Sequence, residues 1–199
     1  MQKILEYAET HEFGYVIKLL LHTGMRRGEL LALKWENVDF ANGTIKVNSA
    51  LARGNGGEVI RPYTKGKRIR TIPIDTETLL LLQNINRDCE FVVSRNGRRY
   101  STTEFQKRNN EFWDDMEVDI EDAPARKTAH KCRHTFASYI VKGGGDLRSL
   151  QELLGHADLE MTRKYTHINL DDLRNNISKL NYSKRELGSN CGQTDCKAI

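Results

Sequence analysis

His130-Lys131-Cys132-Arg133-His134-Thr135-Phe136-Ala137 sets two histidines and an arginine directly ahead of an apolar pair. Thr128 supplies a side-chain cap, and Gly143-Gly144-Gly145 ends the segment, so the stretch from His130 to Val141 predicts one helix. On it His130 and Arg133, three apart, share a face, and His134 falls four from His130. Histidines at i and i+4 are a metal-binding spacing. The zinc-protease signature, however, needs Glu after the first histidine, and Lys131 stands there. With Thr135-Phe136-Ala137 behind it, His134 reads as core packing.

Working outward, Asp146 caps a helix to Leu154, Asp158 opens one toward Tyr165, and a last one covers 170–180. Upstream, the first forty residues read as helical: Phe13, Val16, Leu19, Leu20 and Thr23 keep a helical period until Gly24. A short helix from about Thr23 carries Arg26, Glu29, Leu30 and Leu33. Asn42-Gly43 is a turn between Val38-Asp39-Phe40 and Thr44-Ile45-Lys46-Val47. Strand segments at 58–63 and 68–74 follow, with a tight turn at Lys65-Gly66. Asp75 or Thr76 caps a helix through Leu79, Leu82 and Ile85. Phe91-Val92-Val93 is strand-like, and a helix runs from about Thr102 to Met116. The expected fold class is α+β and mainly α-helical, with a small antiparallel three-stranded β-sheet. One domain is expected over 1–180, with 181–199 a flexible polar tail.

No apolar run approaches the roughly eighteen residues of a membrane span, and no signal-peptide pattern opens the chain. A cytoplasmic protein is expected. Cys89, Cys132, Cys191 and Cys196 are too scattered for a disulfide framework or a zinc set. The net charge is +4, yet 53–70 holds six Lys or Arg against one Glu, so the rest of the chain sums to −1. A basic ribbon of this kind is the footprint of a nucleic-acid binder, although a solvated loop has the same composition. From Asp114 to Asp122 there are six acids and no base, read as a loop turned away from any phosphate.

The cations suit one chemistry in particular. Charge builds on the nonbridging oxygens of a phosphodiester during transfer, and preorganised arginines stabilise it. Metal-dependent enzymes need clustered carboxylates for this task. Near these blocks there are only Glu29, Glu152, Asp158 and Glu160, so neither a metal nor another cofactor is expected. Arg26 and Arg27 compete for the position after Thr23-Gly24, and Lys65 and Lys67 for the turn. His156 follows Leu153-Leu154-Gly155, and Tyr165 comes nine residues later. Singly, each reads as a surface pair, a helix end or a packed ring.

Together they follow the order Arg, Lys, His-x-x-Arg, His, Tyr, with 22 residues between Arg133 and His156 and 8 between His156 and Tyr165. This order, with Arg133-His134-Thr135-Phe136-Ala137 and Leu153-Leu154-Gly155-His156, resembles the catalytic domain of the tyrosine recombinases, or phage integrases. The resemblance extends from about Gly14 to Leu180. Its T-G-x-R-x-x-E pattern selects Arg26 over Arg27. It implies that Tyr165 attacks a DNA phosphate to form a 3′-phosphotyrosyl link. Arg26, Arg133 and His156 then hold the phosphate, His130 assists proton transfer or orients it, and Lys65 protonates the leaving 5′ oxygen. Arg27, Arg61, Lys67, Arg68 and Arg70 are expected to contact the DNA backbone. Double-stranded DNA is the implied partner, with a homotetramer on two sites in a full-length protein and a monomer for this catalytic domain alone. Full-length family members carry a core-binding and often an arm-binding domain ahead of this one, and because the sequence opens almost directly on the first helix of the catalytic domain, both are expected to be absent here. A DNA-binding protein without catalysis, a type IB topoisomerase and a metal nuclease are the competing readings.

Overall fold

In the computed structural model, residues 1–63, 69–119, 128–155, 174, 177 and 178 are described. The expected turn at Lys65-Gly66, the helix toward Tyr165 and the tail lie outside them. Of the expected helix 170–180, Arg174 and Ile177 are helical, and Ile177 is buried.

The axis of the domain is α2 (Gly14–Thr23), in which every residue from Val16 to Thr23 is buried. A helix apolar nearly all round belongs inside, and its neighbours supply the amphipathic faces. From one side α1 (Gln2–Thr10) packs Ile4 and Ala8 against it, and Lys18, its buried cation, is ion-paired to Glu9. Gly24 ends α2 in the left-handed conformation (φ 62°), where a side chain would also strike the Phe136 ring. The turn there leads into α3 (Arg27–Leu31), a five-residue helix that buries Leu30 and Leu31. Arg26 therefore precedes that helix as its cap residue and does not ride within it.

A 3-10 turn at Trp35–Asn37 leads to β1 (Val38–Asp39) and β2 (Thr44–Val47), joined through the expected Asn42-Gly43 turn. Next come β3 (Ser49–Gly54), β4 (Gly57–Pro62) and β5 (Arg70–Pro73). The three-stranded antiparallel sheet has the order β1-β2-β5, with Ile45 opposite Ile72 and Val47 opposite Arg70. Strand β4 does not join it. It pairs instead with β3, Leu51 opposite Ile60, as a separate hairpin turning at Asn55-Gly56. Ser-Ala-Leu-Ala-Arg-Gly has weak strand propensity, and β3 owes its form to that pairing and to packing on α3.

Asp75 caps α4 (Thr76–Asn84): one carboxylate oxygen accepts from the Thr78 N–H at 2.7 Å, and the other meets His22 Nδ1 at 3.1 Å. Val92 and Val93 are core residues beside Leu33 rather than a strand, apart from one bridge at Phe91. The strands there are β6 (Ser94–Arg95) and β7 (Arg98–Arg99), closed by Asn96-Gly97 with positive φ at both residues. Helix α5 (Thr102–Asp119) buries Phe105, Phe112, Trp113 and Met116. It carries Asp114, Asp115 and Glu117 on its exposed side, so the acidic stretch begins as helix and not as loop. Last come α6 (Ala129–Lys142), capped by Thr128, and α7 (Leu147–Leu154), capped by Asp146. The side of α6 that carries Cys132, Phe136 and Ile140 faces α2.

Candidate active site

The site forms where the start of α3, the first turns of α6 and the end of α7 meet. Arg26, Arg27, His130 and Arg133 line one cleft of about 450 Å³, with Gln106 of α5 on its far side. Three of the six expected catalytic residues, from stretches more than a hundred positions apart, are thus brought together. Lys65, His156 and Tyr165, with Lys67 and Arg68 of the expected backbone contacts, lie outside the described residues.

Arg133 is buried, and its guanidinium is held by backbone oxygens, donating to Gly24 O at 2.7 Å and to Leu154 O. Burial, and then the charges of Arg26 and Arg70, push its pKa down to about 10, so it stays cationic at neutral pH. Arg26 has a side chain 45% exposed; its guanidinium donates to Glu29 Oε1 at 3.0 Å and to the Leu154 and Gly155 carbonyls at 3.4 Å. The last carbonyls of α7, otherwise unsatisfied helix ends, therefore serve both arginines. The chain is fixed in this way up to the residue before His156.

Beneath the arginines lies a carboxylate, Glu29, to which sequence reading gave no role. Glu29, fully buried, accepts from the Arg26 N–H at 2.8 Å and the Tyr63 hydroxyl at 2.7 Å. Arg70 grips it with two nitrogens, at 2.9 and 2.7 Å. Burial alone would raise this carboxyl, but the Arg70 hydrogen bonds and charge, with the Arg26 and Tyr63 donors, outweigh it and hold the pKa at about 2. Tyr63 responds oppositely: burial and its bond to Glu29 push it up to about 12. A glutamate three residues after a helix-capping position was the available signal, because it marks half of a capping box.

Two expectations are corrected. Arg70 does not face outward toward a DNA backbone: it is 8% exposed, and besides Glu29 its Nε donates to Leu153 O at 2.7 Å. Gly155, in the left-handed conformation, makes room for it, since a Cβ there would stand 3.0 Å from the guanidinium. Nor is His134 packed in the core. It is exposed, with Nε2 3.1 Å from Nε2 of His130 and the rings edge to face. Only the following Phe136 is core. Arg27 borders the cleft and reaches Gln106 at 3.4 Å, and Arg61 is exposed on β4.

The cleft is bordered by Arg26, Arg27, His130 and Arg133 and is set on a mainly helical frame with small antiparallel sheets. The sequence model of the phage integrase family matches residues 1–171, and the chain belongs to that family. Among curated relatives, the tyrosine recombinase XerC of Oceanobacillus iheyensis is 34% identical over 172 residues, covering 80% of this chain and 50% of that protein. Tyrosine recombinase XerA of Saccharolobus solfataricus is 30% identical over 179 residues, 90% of this chain and 54% of that protein. The chain spans about half the length of the curated relatives it matches. Among solved structures, the Tn1549 transposon integrase in complex with transposon right-end DNA superposes with a TM-score of 0.72 at 25% identity. That match covers 90% of this chain and 63% of the integrase. XerA recombinase gives 0.60 at 26%, covering 89% and 61%. Among the described residues no helix is long and apolar enough to cross a membrane.

Proposed function

We propose that this chain is the catalytic domain of a site-specific DNA recombinase that cuts and rejoins strands without a metal ion, in integration or excision of a mobile element. The observation that carries it is the convergence of Arg26, His130 and Arg133 on one cleft. In this reading the Tyr165 oxygen attacks a phosphorus and forms a 3′-phosphotyrosyl bond, and the bond to the 5′ oxygen breaks. Lys65 gives that oxygen a proton. Arg26, Arg133 and His156 neutralise the charge that builds on the nonbridging oxygens, and His130 orients the phosphate or takes the proton that leaves the Tyr165 hydroxyl. A 5′ hydroxyl from a second duplex reverses the step, so the phosphodiester bond energy is conserved. Four protomers act on two sites in a full-length protein, and the work is done on cytoplasmic DNA.

The relatives named as tyrosine recombinases and the DNA complex of the Tn1549 integrase support this reading. Arg27, Arg61, Lys67 and Arg68 are proposed to add sequence-independent phosphate contacts, which weaken as salt rises. The test is trapping on a nicked duplex that loses its short 5′ fragment after cleavage. A covalent protein–DNA adduct that persists in EDTA and vanishes in Tyr165→Phe is expected. Binding without adduct would leave a DNA-binding domain, and loss in EDTA a metal nuclease. Relaxation of supercoiled DNA carrying a single site would point to a topoisomerase.

A further inference from the structure

The exposed histidine pair on α6 is only half used by the reaction as proposed: His130 lines the cleft, and His134 stands one turn further along the helix. We propose that His130 and His134 together chelate a divalent late transition-metal ion of the Zn²⁺ or Ni²⁺ type, and that occupation of this site inhibits the domain by tying up the Nε2 lone pair of His130. The inhibitory half rests on the function proposed above; the binding half does not.

The bite of the pair carries the proposal. Two ligand atoms about 2.0–2.1 Å from a metal stand about 2.9 Å apart at a right angle and about 3.3 Å apart at the tetrahedral angle. The two Nε2 atoms are 3.1 Å apart, between those limits, so both lone pairs can meet one ion with almost no movement. Both rings are exposed, so neither must be dug out of the core. Imidazole nitrogens favour zinc, nickel or copper over magnesium or calcium. Arg26, Arg27 and Arg133 surround the cleft and oppose any dication held by a single ring, which makes the second histidine necessary. Among the described residues no set of three or more His, Cys, Asp or Glu could hold a metal, so the chelate counts two protein ligands. Each ring binds through Nε2 with its hydrogen on Nδ1. The hydrogen now shared between the rings leaves Nε2 and returns through solvent to Nδ1 of the ring that carried it. This differs from the protease-type zinc site, which Lys131 excludes by standing where the glutamate would be.

The experiment is Ni²⁺ titration of the whole chain at neutral pH, read by calorimetry without DNA, for wild type, His134→Ala and His130→Ala. One site is expected in wild type that weakens about tenfold or more in either variant. Equal stoichiometry and affinity in wild type and His134→Ala would overturn the chelate. On the nicked duplex, Ni²⁺ is expected to suppress adduct formation in wild type, reversibly with EDTA, and to leave His134→Ala resistant at about tenfold higher Ni²⁺. Adduct formation indifferent to Ni²⁺, with His134-dependent binding intact, would overturn the inhibition alone. If no adduct forms under any condition, the proposed reaction fails while the calorimetric result still decides the metal site.

Discussion

The two walls of the cleft are built on opposite principles. On the inner wall Arg133 and Arg70 are buried, and among the described residues their hydrogen bonds end on carbonyls or on Glu29. On the outer wall Arg27 and His130 keep polar atoms toward solvent, and among the described residues their side-chain hydrogen bonds run to Gln106 and to His134, which stands outside the cleft. The inner wall spends its charge on architecture and the outer wall keeps it for a ligand. Arg26 belongs to both: its backbone and guanidinium are tied to Glu29, yet nearly half of its side chain is open. Removing an inner residue should therefore cost stability first, and removing an outer one should cost activity alone.

The largest effect is expected from Glu29→Ala. It leaves the Arg70 guanidinium buried without its carboxylate, a loss of about 3–5 kcal/mol in urea unfolding. An unchanged midpoint would break the contrast between the walls. The same carboxyl gives the pH dependence a sign. Its folded pKa, about 2, lies below an unfolded value near 4.5. Its contribution is therefore complete above about pH 5 and is lost as pH falls toward 2. The Glu29→Ala protein should show a flatter acid limb than wild type over that window.

Arg26→Ala comes next and reads on the other axis. Its partly open guanidinium should contribute little to folding, while adduct formation falls about 10²–10³-fold, the usual loss for a missing charge-stabilising donor. A large drop in melting temperature instead would move Arg26 wholly to the inner wall.

The difference between the walls also explains what could be read from the chain. Helix ends were legible because their causes are local: Thr128, Asp75 and Asp146 each cap the helix expected of them. Arg26, His130 and Arg133, which line one cleft, were expected together because their order in the chain resembles that of the family. Glu29, Tyr63 and Arg70 were not, since their partnership joins α3, the end of β4 and the start of β5 through a pairing of Val47 with Arg70 that no local pattern announces. His134 was misplaced for a related reason. Being next to core residues in sequence says little on a helix, where Phe136 turns inward and His134 outward. The hairpin β3–β4 likewise depended on a partner strand rather than on its own composition.

Gly24→Ala probes the hinge between the walls. The left-handed backbone costs a non-glycine residue about 1–2 kcal/mol. A Cβ 2.5 Å from the Phe136 ring adds the penalty of an overfilled core, because α6 must move away from α2. That same movement carries Arg133 off the Gly24 carbonyl. A combined loss of about 2–3 kcal/mol is expected, with activity falling in parallel even well below the melting range. Activity retained in a destabilised protein would show that Arg133 needs Leu154 O more than Gly24 O.

The smallest effect should come from Thr128→Ala. Thr128 caps α6, its hydroxyl accepting from the Lys131 N–H at 3.3 Å, and it borders the cleft as well. Loss of a cap costs about 1 kcal/mol, or about 2–4 °C in a domain of this size. The side chain carries no charge and α6 is held further along by Cys132, Phe136 and Ile140, so adduct formation at low temperature should match wild type. If Thr128→Ala instead lost as much activity as Arg26→Ala while melting normally, the first turn of α6 would be setting the position of His130. The outer wall would then depend on architecture as closely as the inner one does.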